Sequence, residues 1–162
     1  MCNRRADFTT SSLLAMCTAV VIPWFALPAH AALGGDAASI QADQVHMQGS
    51  RRMIAANSYT VHEIQAETGT VVREYVSADG KVFAVAWQGP WLPDMRQILG
   101  GYFEQYQAAL QSQSGGGRMA RRPVMIDQPG LVVQIGGHIR AFAGRAYIPD
   151  RLPSGVHVED IQ

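Results

Sequence analysis

Three short runs between Tyr59 and Gln88 constrain this chain more than anything else in it. Tyr59–Ala66, Val71–Ala78 and Lys81–Gln88 are rich in Val, Tyr, Phe and Trp, the residues that suit a pleated, half-buried surface. Thr68-Gly69 separates the first pair and Asp79-Gly80 the second. Asp-Gly is a favoured two-residue type I′ hairpin turn. The spacing predicts a three-stranded antiparallel meander. With two-residue turns, Glu63 pairs with Glu74 and Glu74 with Val85, on a face shared with Val61, Val72, Val76, Phe83 and Trp87. A slip of one residue in the first hairpin puts His62 opposite Glu74 instead.

Gly89-Pro90 ends the third strand. Pro93 suits a first helical position, and Asp94 favours the first turn through the helix dipole. Met95, Ile98, Leu99, Tyr102, Phe103, Tyr106 and Leu110 then recur at helical spacing, which predicts an amphipathic helix from Pro93 to about Gln111. Gly100-Gly101 inside it lowers helix propensity; close approach of the helix to the sheet is the expected compensation. A Ser- and Gly-rich stretch with Arg118, Arg121 and Arg122 reads as a loop.

A second set of strands begins at Val124. Pro129-Gly130 fits a type II turn between Val124–Asp127 and Leu131–Ile135. Gly136-Gly137 then reads as a tight hairpin into His138–Ile148, with a polar tail after it. Residues 32–57 give weaker signals and are expected as an arm or a short helix over Ala37–Gln48. Residues 58–162 are expected as one α+β domain: a mostly antiparallel sheet from two three-stranded meanders, with one long helix between them packed on one face.

The first thirty-one residues read as a signal peptide. Arg4 and Arg5 form a positive start, an apolar run extends from Leu13 to Leu27, and Ala29-His30-Ala31 is a small-x-small cleavage site. Arg4-Arg5 also fits twin-arginine export. Cys17 as a lipidated residue is disfavoured by bulky Met16 before it. Export predicts a periplasmic or secreted product starting at Ala32. That product contains neither Cys2 nor Cys17, so it has no disulfide, thiol nucleophile or thiolate metal site. Beyond residue 31, 11 basic residues face 12 acidic ones, with no basic field for nucleic acid. No run there is long and apolar enough for a membrane span.

No stretch forces one chemistry. His62-Glu63 begins an H-E-x-x-H zinc motif, but Ala66 stands where the second His belongs and the stretch reads as strand. His46, His138 and His157 lack metal spacing, and neither a metal nor a cofactor is expected. Glu63 and Glu74 on one apolar face repel, so one tends to stay protonated, as in acid–base sites. An ionised Glu74 there needs a cation, for which Arg96 and Arg140 are candidates. Trp87 and Trp91 flank an aromatic corner that stacks on a sugar or peptide if exposed and plugs the sheet if buried. Arg118, Arg121 and Arg122 are candidates for an anion.

The segment Y-T-V-H-E-I, then G-T-V-V-R-E-Y-V-S-A-D-G-K-V-F-A-V-A-W-Q-G-P and L-P-D-M-R-Q-I-L-G-G-Y-F, lies within Tyr59–Phe103. With R-A-F-A-G-R-A-Y-I-P from Arg140 to Pro149 and Ala32-Leu33-Gly34-Gly35, it resembles a family of short exported bacterial proteins, domain-of-unknown-function family 2844. The Gly- and Arg-rich loop from Gly115 to Arg122 departs from it. The resemblance implies an exported protein and brings no catalytic residues. The reading is a non-enzymatic binding or accessory module of the periplasm or cell envelope, with an envelope protein or glycan as partner. The alternative is a small hydrolase of envelope material using Glu63, Glu74 or His62 with Asp94. An enzyme requires those groups to converge in a concave pocket; a binding module requires an exposed apolar patch or a free sheet edge.

Overall fold

The computed structural model describes residues 33–113 and 123–162. The expected signal peptide, and Arg118, Arg121 and Arg122, lie outside the described residues. A short helix, α1 (Ile40–His46), precedes four strands: β1 (Ser50–Ala55), β2 (Tyr59–Gln65), β3 (Val71–Ser77) and β4 (Val82–Gly89). Two helical segments follow, α2 (Met95–Leu99) and α3 (Phe103–Gln113), joined by a 3-10 turn over Gly100–Tyr102. The chain then adds β5 (Val124–Gln128), β6 (Leu131–His138) and β7 (Ala141–Tyr147). All seven strands form one antiparallel sheet in the order β1-β2-β3-β4-β7-β6-β5.

The fold is α+β, as the alternation of strand runs and one helical stripe predicts. The first run holds four strands rather than three. Residues 32–57 contain α1 and also β1, whose Ser-Arg-Arg-Met-Ile-Ala sequence has no strand alternation to announce it. Its antiparallel register on β2 decides it. The β6–β7 hairpin turns at Ile139-Arg140, with Arg140 at φ +65°, and Gly136-Gly137 lie inside β6.

The first hairpin is closed by three residues, Glu67, Thr68 and Gly69. Ala66 N–H bonds Thr70 O at 2.9 Å, Gly69 N–H bonds Ala66 O at 2.9 Å, and Gly69 stands at φ +85°. That extra residue sets His62 opposite Glu74 and Glu63 opposite Arg73. Glu63 and Val61 therefore lie on the face away from Glu74. The second hairpin is also wider than a type I′ turn: Ser77 N–H bonds Lys81 O. The register shifts between Tyr75 and Val76, which leaves Phe83 as a bulge on the same far face. Glu74 does pair with Val85.

The helices cover one face, burying Ile64, Val72, Val85, Trp87, Ile126 and Val133 against Ile40, Ile98, Leu99 and Tyr106. The kink over Gly100–Tyr102 divides the expected single helix. Gly100 adopts φ +49°, and a Cβ on Gly101 meets nothing within 4 Å. Gly100 thus supplies the left-handed φ of the kink, and Gly101 makes no close approach to the sheet. Residues 149–162 cover the other face, where Val156 and Ile161 pack with Val61, Tyr75, Phe83 and Tyr147. The expected polar tail is thus a second layer. Tyr75 Oη donates to Gln162 O and accepts from Gln162 N–H, both at 2.9 Å. Arg145 Nη1 donates to Val158 O at 2.6 Å. No helix among the described residues is long and apolar enough to cross a membrane.

Candidate functional site

Strand β4 ends at Gly89, and the chain passes beside Thr70 at the start of β3. A Cβ on Gly89 would stand 2.5 Å from Thr70 Cα, a distance only glycine permits. This approach lets Thr70, 2% exposed, hold Trp91 by both its backbone N–H and its carbonyl. Thr70 Oγ1 donates to Trp91 O at 2.8 Å and accepts from Trp91 N–H at 3.3 Å. The indole of Trp91 stays 59% exposed, with Leu92 beside it at 42%. Trp87 has the opposite fate: it is 1% exposed within the helix-side core.

Trp91, Leu92, Met47 and Val72 border a cleft of about 300 Å³. A second cleft, of about 660 Å³, is bordered by Gly34, Gly35, Arg96 and Tyr102. His46, Asp94 and Gln97 line both, so the two meet there. Asp94 caps α2, accepting from Arg96 N–H at 2.9 Å and Gln97 N–H at 3.4 Å. Its carboxylate oxygen Oδ1 is thus occupied by the helix terminus.

Beneath Gln97 lies a pair of carboxyl groups. Gln97 Nε2 donates to Asp43 Oδ1 at 2.7 Å. The Asp43 carboxyl in turn meets that of Glu74, and both residues are 0% exposed. Apart from that carboxyl, no donor among the described residues reaches either oxygen of Glu74. Two ionised carboxylates in such surroundings repel, so a shared proton holds the contact. Burial, reinforced by Asp43 and opposed by Arg51, pushes Glu74 up to about 9. The Glu63–Glu74 pair expected from the sequence does not form, because Glu63 lies on the opposite face; the carboxyl that Glu74 meets is that of Asp43. Neither Arg96 nor Arg140 neutralises Glu74. Arg96 lies over the Phe103 ring, 4.3 Å from its centroid, and Arg140 forms the β6–β7 turn.

Glu63, on the tail-covered face, is ion-paired. Its two oxygens meet Arg52 Nε and Arg73 Nε, each at 2.8 Å. Burial pushes its carboxyl up, but the two arginines outweigh that and hold it below the usual range. His62 lies across from Glu74. Burial, then Arg51, lowers it, and its enclosed Nδ1 has no partner among the described residues. The proposed acid–base residues are thus divided: Glu63 on one face, His62 and Glu74 on the other, Asp94 at a helix cap. Of these, only Asp94 lines the clefts. Among the described residues, no group of three or more His, Cys, Asp or Glu could hold a metal ion.

Asp43, Thr70 and Gln97 escape sequence reasoning. Asp43 follows Ile40 by three residues, on the helix face that is buried, where an acidic residue reads as a break in the pattern. The family described as Protein of unknown function (DUF2844) matches residues 29–161. No curated protein and no solved structure matches the chain significantly.

Proposed function

This chain belongs to the DUF2844 family, and from that premise we propose that it is an exported, non-enzymatic binding module that takes an envelope glycan against Trp91. The exposed Trp91 side chain, on a backbone clamped by Thr70, carries the reading. A rigid aromatic face loses little entropy on binding and offers a flat apolar platform for the C–H face of a sugar. His46, Glu67, Asp94 and Gln97 border the same cleft and supply polar groups for hydroxyls. The separation of Glu63, Glu74 and Asp94 supports binding over hydrolysis. The test is titration of the exported protein with a soluble disaccharide–peptide fragment of peptidoglycan, followed by tryptophan fluorescence. Trp91 should quench, and Trp91→Ala should weaken binding by about tenfold or more with unchanged melting. Wild-type affinity in Trp91→Ala overturns the glycan platform, and release of cleaved product favours the hydrolase.

A further inference from the structure

Among the described residues the sheet is open, with β1 and β5 as its outer strands. All six residues of β1 are exposed, Met53 at 68% and Ile54 at 43%, and Met125 on β5 is 58% exposed. Exposed apolar side chains on unpaired edges mark sites of strand addition. The register of β1 on β2 is uninterrupted, and β1 contains no proline, so neither a bulge nor a proline blocks a neighbour; its charges, Arg51 and Arg52, select which neighbour fits.

The two edges fit each other. Ala56 N–H bonds Tyr59 O. By the antiparallel alternation, the even-numbered residues of β1 then bond β2, and Arg51, Met53 and Ala55 present their backbone groups outward. On β5, Gln113 Nε2 donates to Met125 O at 3.0 Å. That carbonyl therefore points off the edge, and alternation places Asp127 in the same phase. Arg51 and Met53 share the helix-bearing face with His62 and Glu74. Met125 and Asp127 share the tail-covered face, because Ile126 between them faces the helices. In this alternating sheet β1 and β5 run in the same direction. Antiparallel pairing between copies thus turns one copy over, and brings those two faces to the same side.

We propose that the protein assembles edge to edge with further copies of itself, β1 of one copy pairing antiparallel with β5 of the next, so that Arg51 opposes Asp127 and Met53 opposes Met125. The same register sets Ile54 against Val124. Arg52, already matched by Glu63 at 2.8 Å, falls opposite Ile126. The incoming strand displaces the Gln113 side chain from Met125. Pairing β1 with itself about Met53 sets Arg51 against Ala55 and gives it no counter-charge; β5 supplies Asp127. The contact is head-to-tail, so each added copy leaves a free β1 and a free β5, and growth is open-ended.

Sedimentation velocity of the exported protein over a range of concentrations tests this. The expected result is mass that grows with concentration beyond a dimer. Arg51→Asp and Asp127→Arg, both at exposed positions, should each raise the concentration of half-assembly about tenfold. The double variant Arg51→Asp/Asp127→Arg should restore it, because every contact then regains one pair of opposite charges. A monomer at all concentrations overturns the proposal. So does assembly that the double variant fails to restore, or a discrete dimer insensitive to Asp127→Arg.

Discussion

Glu74 and Glu63 sit eleven positions apart on neighbouring strands and meet opposite electrostatic fates. Glu63 has two guanidinium partners and is held ionised. Glu74 has Asp43 and burial, and is held neutral. The consequence for stability follows from linkage. A carboxyl whose folded value rises from 4.5 to about 9 makes the native state bind more protons than the unfolded chain throughout that window. Its contribution is fully present below pH 4.5 and is lost as pH rises toward 9. Across the window the slope approaches about 1.4 kcal/mol per pH unit. Glu74→Gln removes it: the amide cannot ionise and can donate to Asp43. Urea unfolding at pH 5 and pH 8 should show wild type losing stability between the two, and Glu74→Gln losing much less. A Glu74→Gln protein equally destabilised at both pH values would mean that Glu74 is charged and has a cationic partner.

At the scale of the element, the helical stripe divides its work. Ile98 and Leu99 in α2 are 0% exposed, whereas Phe103, just past the kink, is half-buried under Arg96. The 3-10 turn rotates the stripe, so residues on either side of it do not share one degree of burial. Ile98→Ala should cost about 2–5 kcal/mol. Phe103→Ala should cost about 1–2 kcal/mol, from partial burial and the lost contact with Arg96. Denaturant melts of the two variants decide it; equal losses would place Phe103 in the enclosed core. The same kink gives Gly100-Gly101 its role. Hairpins obey a similar local logic. A left-handed glycine closing a three-residue loop adds one residue to the β2–β3 connection, and every side chain of β2 changes face as a result.

For the whole molecule, the sheet lies between two layers, helices on one side and the segment 149–162 on the other. The first described residues are already tied in: Leu33 N–H bonds Ile98 O at 3.0 Å and Gly34 N–H bonds Val82 O at 2.8 Å. We propose that residues 1–31 are a signal peptide, removed next to this structured start. We expect the exported protein to begin at Ala32. N-terminal sequencing of material from the envelope fraction checks this, and an acylated N-terminus at Cys17 would contradict it.

The sequence by itself determined the strands from Tyr59 to Gln88, the helical stripe after Pro93, the strands from Val124 and the α+β class. Each of these is written in periodicity and turn residues within a few positions of one another. It also narrowed the register of His62, Glu63 and Glu74 to two choices. Only the tertiary structure chose between them, because one residue of loop length changes the face and a Thr-Gly pair fits either loop. Tertiary structure also decided that β1 is a strand, since its residues are exposed and carry no alternation; pairing with β2 is what orders it. It decided that Trp91 is displayed while Trp87 is buried, through a clamp from Thr70, twenty-one residues away in the chain. And it brought Asp43 to Glu74. A buried polar partner is recruited by proximity in space, and no local pattern encodes which distant segment will supply it.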